Sequence, residues 1–163
     1  MCNYKMAEKE DQEDQLVGIR KMVAEDYPDA YKLWQKTPGM NLRDFDDSFE
    51  EISRLIKFNP GFCFVAEKDN QLIGTILGAT DGRRGRIYHL AVAREVQHTG
   101  IATKLVNLVI KQLKEVGIQK ISIIVMKNNH EGELFWKSLQ FSKRLDVDCQ
   151  GQFKNVGFRQ KEM

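Results

Sequence analysis

Leu90-Ala91-Val92-Ala93-Arg94-Glu95-Val96-Gln97-His98-Thr99-Gly100-Ile101-Ala102 is the stretch on which the reading turns. Its first residues complete a strand-like run, 86–92. A short loop then passes through one glycine, and Ile101, Leu105, Leu108, Val109, Leu113 and Val116 recur at helical spacing until Gly117 stops them. Unpaired backbone N–H groups at the start of such a helix, aided by its dipole, make an anion site. Gly100 lets phosphate oxygens approach the backbone, and Ala102 keeps the first turn uncrowded. By themselves these residues serve equally well as a turn from strand to helix. Neither the G-x-G-x-x-G of a dinucleotide fold nor the G-K-[ST] of a nucleotide-triphosphate loop is present.

Upstream, residues 62–67, 71–79 and 86–92 read as three strands joined by the turns Lys68-Asp69-Asn70 and 80–85, an antiparallel meander. Before them, 16–23 is a first strand. Asp26-Tyr27-Pro28 then opens a helix carrying Tyr27, Ala30, Tyr31 and Trp34 on one face, with Pro38-Gly39 at its end. Ser48 and Glu51 form a capping box ahead of Phe49, Ile52 and Ile56, the apolar stripe of a second helix. Downstream, 120–126 is nearly continuously apolar and reads as a strand buried on both faces. A helix separates it from strand 86–92, so the two should run parallel. Asn129 caps a further helix with Leu134, Phe135 and Leu139, and 141–147 with 153–158 make a closing hairpin. The expected fold is α/β, a mixed sheet of about seven strands flanked by about four helices.

The chain has 163 residues, 42% hydrophobic and 29% charged, with a net charge of +2. That length and apolar content suit one domain, which buries roughly 70% of its unfolded surface. We expect a flexible tail over 1–15 and a single domain over 16–163. No run of about 18 apolar residues offers a membrane span, and the acidic start is not of signal-peptide type. Three cysteines (Cys2, Cys63, Cys149) at irregular spacing fit neither a disulfide framework nor a metal site, and point to a cytoplasmic protein. Near-neutral charge gives no reason to expect a nucleic-acid partner; Arg83, Arg84 and Arg86 form a short basic cluster that reads as a solvated turn.

Gln97-His98-Thr99-Gly100-Ile101-Ala102 resembles the [QR]-x-x-G-x-[GA] signature of the GCN5-related N-acetyltransferase (GNAT) family. Ile87-Tyr88-His89-Leu90-Ala91-Val92 stands where that family's fourth strand precedes the signature. Residues 129–141 resemble its N-x-x-A-x-x-L-Y-x-x-x-G-F segment, with Asn129, Phe135, Trp136 and Phe141 in register. The resemblance covers roughly 16–148. It implies acetyl-CoA as cosubstrate, bound where the parallel fourth and fifth strands splay. The amides of Gln97, His98, Thr99, Gly100, Ile101, Ala102 and Thr103 would hold the pyrophosphate. Leu90, Ala91 and Val92 would lie along the pantetheine arm as an added strand does, with a backbone N–H there for the developing oxyanion; Asn129 and Phe135 would complete its cradle. The implied reaction is direct transfer of acetyl to a primary amine on a small molecule, an amino acid or a protein N-terminus, and a homodimer is compatible with it.

Two positions depart from the family habit. Trp136 stands where a Tyr often protonates the departing thiolate, and it reads as a packing residue. Arg86 and Tyr88 stand where Glu or His bases are common. Arg86 cannot accept a proton. Tyr88 is the candidate catalytic residue, relaying a proton through water, although a phenol with a reference pKa near ~10 is a weak base at neutral pH. His89 has a better reference pKa, but strand alternation turns it to the opposite face from Tyr88, so it reads as a core or surface histidine. Asp26, Asp44, Asp46 and Asp47 are placed to attract a cationic amine or to cap helices and turns. The missing acid and strand carboxylate keep a non-catalytic acyl-CoA-binding module as the alternative.

Overall fold

The structure, a computed structural model, describes residues 17–150. The expected tail, Leu16, Cys2 and the strand at 153–158 lie outside the described residues. The strands are β1 (Val17–Lys21), β2 (Cys63–Lys68), β3 (Gln71–Thr80), β4 (Gly85–Val92) and β5 (Ile121–Ile123). The helices are α1 (Tyr27–Gln35), α2 (Phe49–Phe58), α3 (Ile101–Glu115) and α4 (His130–Ser138), with short 3₁₀ turns at Ala24–Asp26 and Arg94–Val96. The described residues form one sheet in the order β1-β2-β3-β4-β5, antiparallel as far as β4 and parallel between β4 and β5.

Small residues decide how closely the helical layers approach this sheet. A Cβ on Gly74 would stand 3.3 Å from Leu105, and one on Gly78 2.7 Å from Val109 and 2.6 Å from the Phe62 carbonyl. Gly74 and Gly78 therefore face α3, whose Leu105, Val106, Val109 and Leu113 are fully buried. The residues between and beside them, Thr75 and Leu77, face the other way, toward α1. There Trp34, 1% exposed, fills the centre of the second layer and meets Tyr27 and Tyr31 edge-on. Arg20 ties β1 down at the rim by pairing with Asp26 and Glu67.

Five strands, not seven, are present among the described residues. The expected strand at 141–147 is absent. A strand needs a ladder partner, and Arg144 instead closes a bidentate pair on Asp146, two residues away, while Leu145 stands 88% exposed. The expected strand at 120–126 is also shorter and less covered. Only Ile121–Ile123 pair with β4; they are half-buried, and Ile124 and Met126 are exposed. In α2, Ser48 Oγ accepts the Glu51 N–H as expected of a cap, yet Ile52 is the one buried member of the stripe and Phe49 stays 47% exposed. Asp26 precedes α1 without capping it, because its carboxylate is taken by Arg20 and the Val23 N–H.

Candidate functional site

Ladder pairing between β4 and β5 stops at Ile87↔Ile123, while β4 continues to Val92. The far half of β4 thus has an edge with no β-partner among the described residues. Its parity can be read from the ladder on the other side. Ala93 N–H donates to the Ile73 carbonyl at 2.8 Å, and Ala91 pairs with Thr75. Their neighbours Leu90 and Val92 therefore turn their peptide groups away from β3, into the opening. The Val92 carbonyl accepts from Gln97 Nε2 at 3.1 Å. That leaves the Leu90 peptide and the Val92 N–H as the groups that an extended ligand arm could pair with. Ala91 differs: its peptide is spent on the ladder and its side chain is 2% exposed.

The loop that follows carries two left-handed residues, His98 (φ 62) and Gly100 (φ 85), just before α3. Such a run turns successive N–H groups to one side, as an anion nest does. No side chain caps α3, no acidic residue lies in its first turn, and the first helical bond from outside that turn is Lys104 N–H to the Gly100 carbonyl. The N–H groups of Ile101, Ala102 and Thr103 are thus the unpaired donors of a helix start. Around Gly100 nothing lies within 4 Å of where a Cβ would stand. Gln97, His98, Thr99 and Gly100 are exposed, and Thr99 Oγ1 is tied to the Val96 carbonyl at 2.6 Å. Ile101 contributes its amide alone, since its side chain belongs to the core. A diphosphate fits this cradle on charge, space and donors.

Asn129 and Phe135 stand on the chain that leaves β5. Asn129 Oδ1 accepts the Gly132 N–H at 2.9 Å and so caps α4, while its Nδ2 lies 2.7 Å from where a Cβ of Gly39 would be. The loop after α1 therefore abuts the start of α4. Trp136 meets Phe135 and Phe141 edge-on at 5.2 and 5.0 Å, an aromatic packing role. A hollow of about 420 Å³ opens between α1 and this loop, lined by Tyr31, Trp34, Gln35, Thr37, Gly39, Met40, Asn41 and Leu42. A larger one of about 520 Å³, among Asn107, Ile110, Lys111, Lys114 and Glu115, lies on the outer face of α3 and includes none of the expected residues.

The strand itself holds a feature that periodicity could not reveal. The β3–β4 register slips between Thr75 and Leu77, with Thr75 opposite Ala91 and Leu77 opposite Tyr88. The extra residue is a β-bulge, and His89 takes φ 48 within it. Tyr88, opposite Leu77, faces the α1 layer. His89 faces it too, with its ring 4.5 Å from that of Trp34 and its Nε2 2.7 Å from Asp47 Oδ1. The expectation that alternation separates Tyr88 from His89 fails at this bulge. Burial pushes the Asp47 carboxyl up, but His89 and the Arg43 N–H outweigh it and hold the group below the ordinary carboxylate value. Asp46, exposed next door, is pushed up by desolvation and by the charge of Asp47. Of the four aspartates expected at an acceptor, Asp47 is the one in contact with the strand.

Other candidates fall elsewhere. Arg83 and Arg84 lie in a turn whose N–H groups are held by Asp81, and all three, like Arg86, are exposed. Cys63 is buried in β2 and Cys149 is exposed. Among the described residues no group of three or more His, Cys, Asp or Glu could hold a metal, and no helix is long and apolar enough to cross a membrane.

Comparison with known proteins bears on the family and the fold. A curated acetyltransferase of Pectobacterium atrosepticum is 29% identical over 131 residues, spanning 80% of this chain and 89% of that protein. PaiA N-acetyltransferase from Thermoplasma acidophilum, solved with coenzyme A, superposes with a TM-score of 0.70 at 21% identity, covering 81% of this chain and 92% of its own. An aminoglycoside acetyltransferase from an uncultured soil metagenomic sample, solved with sisomicin, gives 0.67 at 20% identity over 86% and 99% of the two chains. The profile of the acetyltransferase (GNAT) family matches residues 18–141. Because that span runs from the first strand through the last helix and includes the loop at 97–100, the chain belongs to the acetyltransferase (GNAT) family and is an acetyl-CoA-dependent N-acetyltransferase.

Proposed function

We propose that the protein transfers acetyl from acetyl-CoA to a primary amine by direct attack, in the cytoplasm, with no covalent enzyme intermediate. The observation that carries this reading is the β4 edge beyond Ile87, free of β5 and leading into an uncapped helix start. When bound, the cosubstrate supplies a thioester whose carbonyl carbon is the electrophile. The amides of 98–103 take its pyrophosphate, with Gln97 fixing the loop through the Val92 carbonyl. Leu90 and Val92 align its arm, with Asn129 and Phe135 at the far wall, and the Leu90 N–H is the donor for charge developing on the carbonyl oxygen. Tyr88 stands on the acceptor face of the same strand; none of the described hydrogen bonds reaches its hydroxyl, which holds the amine or a relaying water.

A cysteine nucleophile is not part of this scheme. Cys63 is 3% exposed, and burial pushes its thiol up to about 11, away from the thiolate form. The acceptor is a small-molecule or peptide amine. The test is calorimetric titration with acetyl-CoA, NAD and ATP, followed by thiol release over a panel of small amines, amino acids and peptides. Selective acetyl-CoA binding with amine-dependent thiol release is expected. Binding without turnover on any amine would favour a non-catalytic module.

A further inference from the structure

We infer that His89, oriented by Asp47, is the group that removes the proton from the acceptor's ammonium. This rests on the direct-attack reading above and adds the base which that reading lacks.

The geometry singles out this histidine. The bulge commits His89 to a left-handed backbone (φ 48) that side-chain-bearing residues seldom adopt, so the surroundings must hold it there. Thr75 Oγ1 donates to the His89 carbonyl at 2.8 Å, and Trp34 Nε1 donates to Thr75 Oγ1 at 2.8 Å. The same Trp34 packs its ring on the imidazole and lines the hollow beside the loop after α1. Asp47 is fixed as firmly. Its Oδ2 accepts the Arg43 N–H at 2.7 Å, and its carbonyl accepts from the Tyr27 hydroxyl at 2.7 Å. Its Oδ1 is left for His89.

Of the two imidazole nitrogens, Nε2 is sealed from solvent and stands 2.7 Å from Asp47 Oδ1, close but without the alignment of a hydrogen bond. The side chain keeps 15% exposure, and Nδ1, unlike Nε2, is not a buried atom left without a partner. A carboxylate beside one nitrogen favours the tautomer that keeps its proton there and leaves the other nitrogen to accept one. His89 also directly precedes Leu90, whose peptide faces the opening between β4 and β5. Base and carbonyl-aligning strand edge are therefore adjacent in the chain.

The proton balance is complete. An amine at neutral pH arrives as R–NH₃⁺ and cannot attack. His89 Nδ1 takes one proton and later releases it to solvent. The freed lone pair forms the C–N bond to the thioester carbon, and the C–S bond breaks. A second proton leaves nitrogen and is matched to the departing sulfur, so CoA leaves as the thiol. The charged and titratable groups near His89 are Asp46, Asp47 and Arg43 from the α1–α2 connection, Tyr27 behind Asp47, and Tyr88 on its own strand; α1 presents Trp34.

The experiment compares wild type, His89→Gln and Asp47→Asn by thiol release across pH 6–10. It uses the fastest amine of the panel and a fluorinated analogue already neutral at pH 7. His89→Gln should lower kcat/KM for the ammonium by about 10²–10³-fold and remove its acid limb. It should cost the neutral analogue less than about tenfold and leave calorimetric acetyl-CoA affinity unchanged. Asp47→Asn should lower kcat/KM for the ammonium while retaining more activity than His89→Gln. Equal losses on both amines with an unchanged pH profile would mark a structural role and overturn the inference. If His89→Gln does not fold, equal losses on both amines in Asp47→Asn overturn it instead. Wild-type protein that binds acetyl-CoA but acetylates no amine would refute the underlying transfer reading, an outcome distinct from either.

Discussion

Trp34 and Thr75 meet in the middle of the protein: the indole N–H of the helix residue donates to the threonine hydroxyl of β3 at 2.8 Å, with both side chains buried. That hydroxyl in turn donates to the His89 carbonyl. One small polar residue thereby joins the α1 layer to the bulged half of β4, and the bulge aims both the acceptor-facing side chains and the Leu90 peptide.

Thr75→Val keeps the shape and removes both bonds, leaving a buried indole N–H and a bulge carbonyl unpartnered. We expect a loss of about 2–3 kcal/mol in urea unfolding, together with a fall in kcat/KM larger than any change in acetyl-CoA affinity. Unchanged stability would show that water or an alternative rotamer satisfies these groups.

Gly100→Glu tests the phosphate cradle. The left-handed backbone (φ 85) strains any side chain, yet the space around Cβ is empty, so Gly100→Ala isolates that strain from charge. By calorimetry the alanine variant should weaken acetyl-CoA binding by less than about tenfold and the glutamate variant by more than about a hundredfold, roughly 3 kcal/mol. Equal affinities in the two folded variants would move the pyrophosphate away from this loop.

Cys63 sets an alkaline limit. Burial raises its thiol from 9.0 to about 11 in the folded chain. The folded state therefore holds this proton more tightly than the unfolded state. The associated stability is complete below about pH 9 and is lost as pH rises toward 11, by about 2–3 kcal/mol. The thermal midpoint should fall over that window in wild type and much less in Cys63→Ala. At the acid end the sign reverses. Desolvation raises the carboxyls of half-buried Asp26 and buried Asp47, but Arg20 and His89 respectively outweigh this and hold them low. Their contribution is present above the ordinary carboxylate pKa and disappears as pH falls through the lowered values, so Asp47→Asn should flatten acid unfolding below about pH 4.

Trp136 packs between Phe135 and Phe141, and Trp136→Tyr should behave as a packing change. We expect a destabilisation of about 0.5–1.5 kcal/mol with kcat altered less than about twofold. A large gain in kcat would show that the site lacks an acid for the thiolate and that a phenol at this position supplies it.

What the sequence determined by itself was whatever depends on near neighbours. Helical spacing from Ile101 to Leu113 marked α3, the turns at 68–70 and 80–85 marked the meander, and Gly100 marked the loop that only a residue tolerant of positive φ serves comfortably. The signature at 97–102 carried the family. Tertiary structure alone decided the rest, because those features depend on which distant groups meet. The bulge at His89 exists because Thr75 and Trp34, both remote in the chain, hold its carbonyl and its ring; strict alternation could not foresee that Tyr88 and His89 would share a face. Asp47 looked like its acidic neighbours until the fold set it alone against His89. The apolar run at 120–126 promised a full strand, but a run becomes a strand only as far as partners exist, and beyond Ile123 the two strands part to leave the edge on which the site is built.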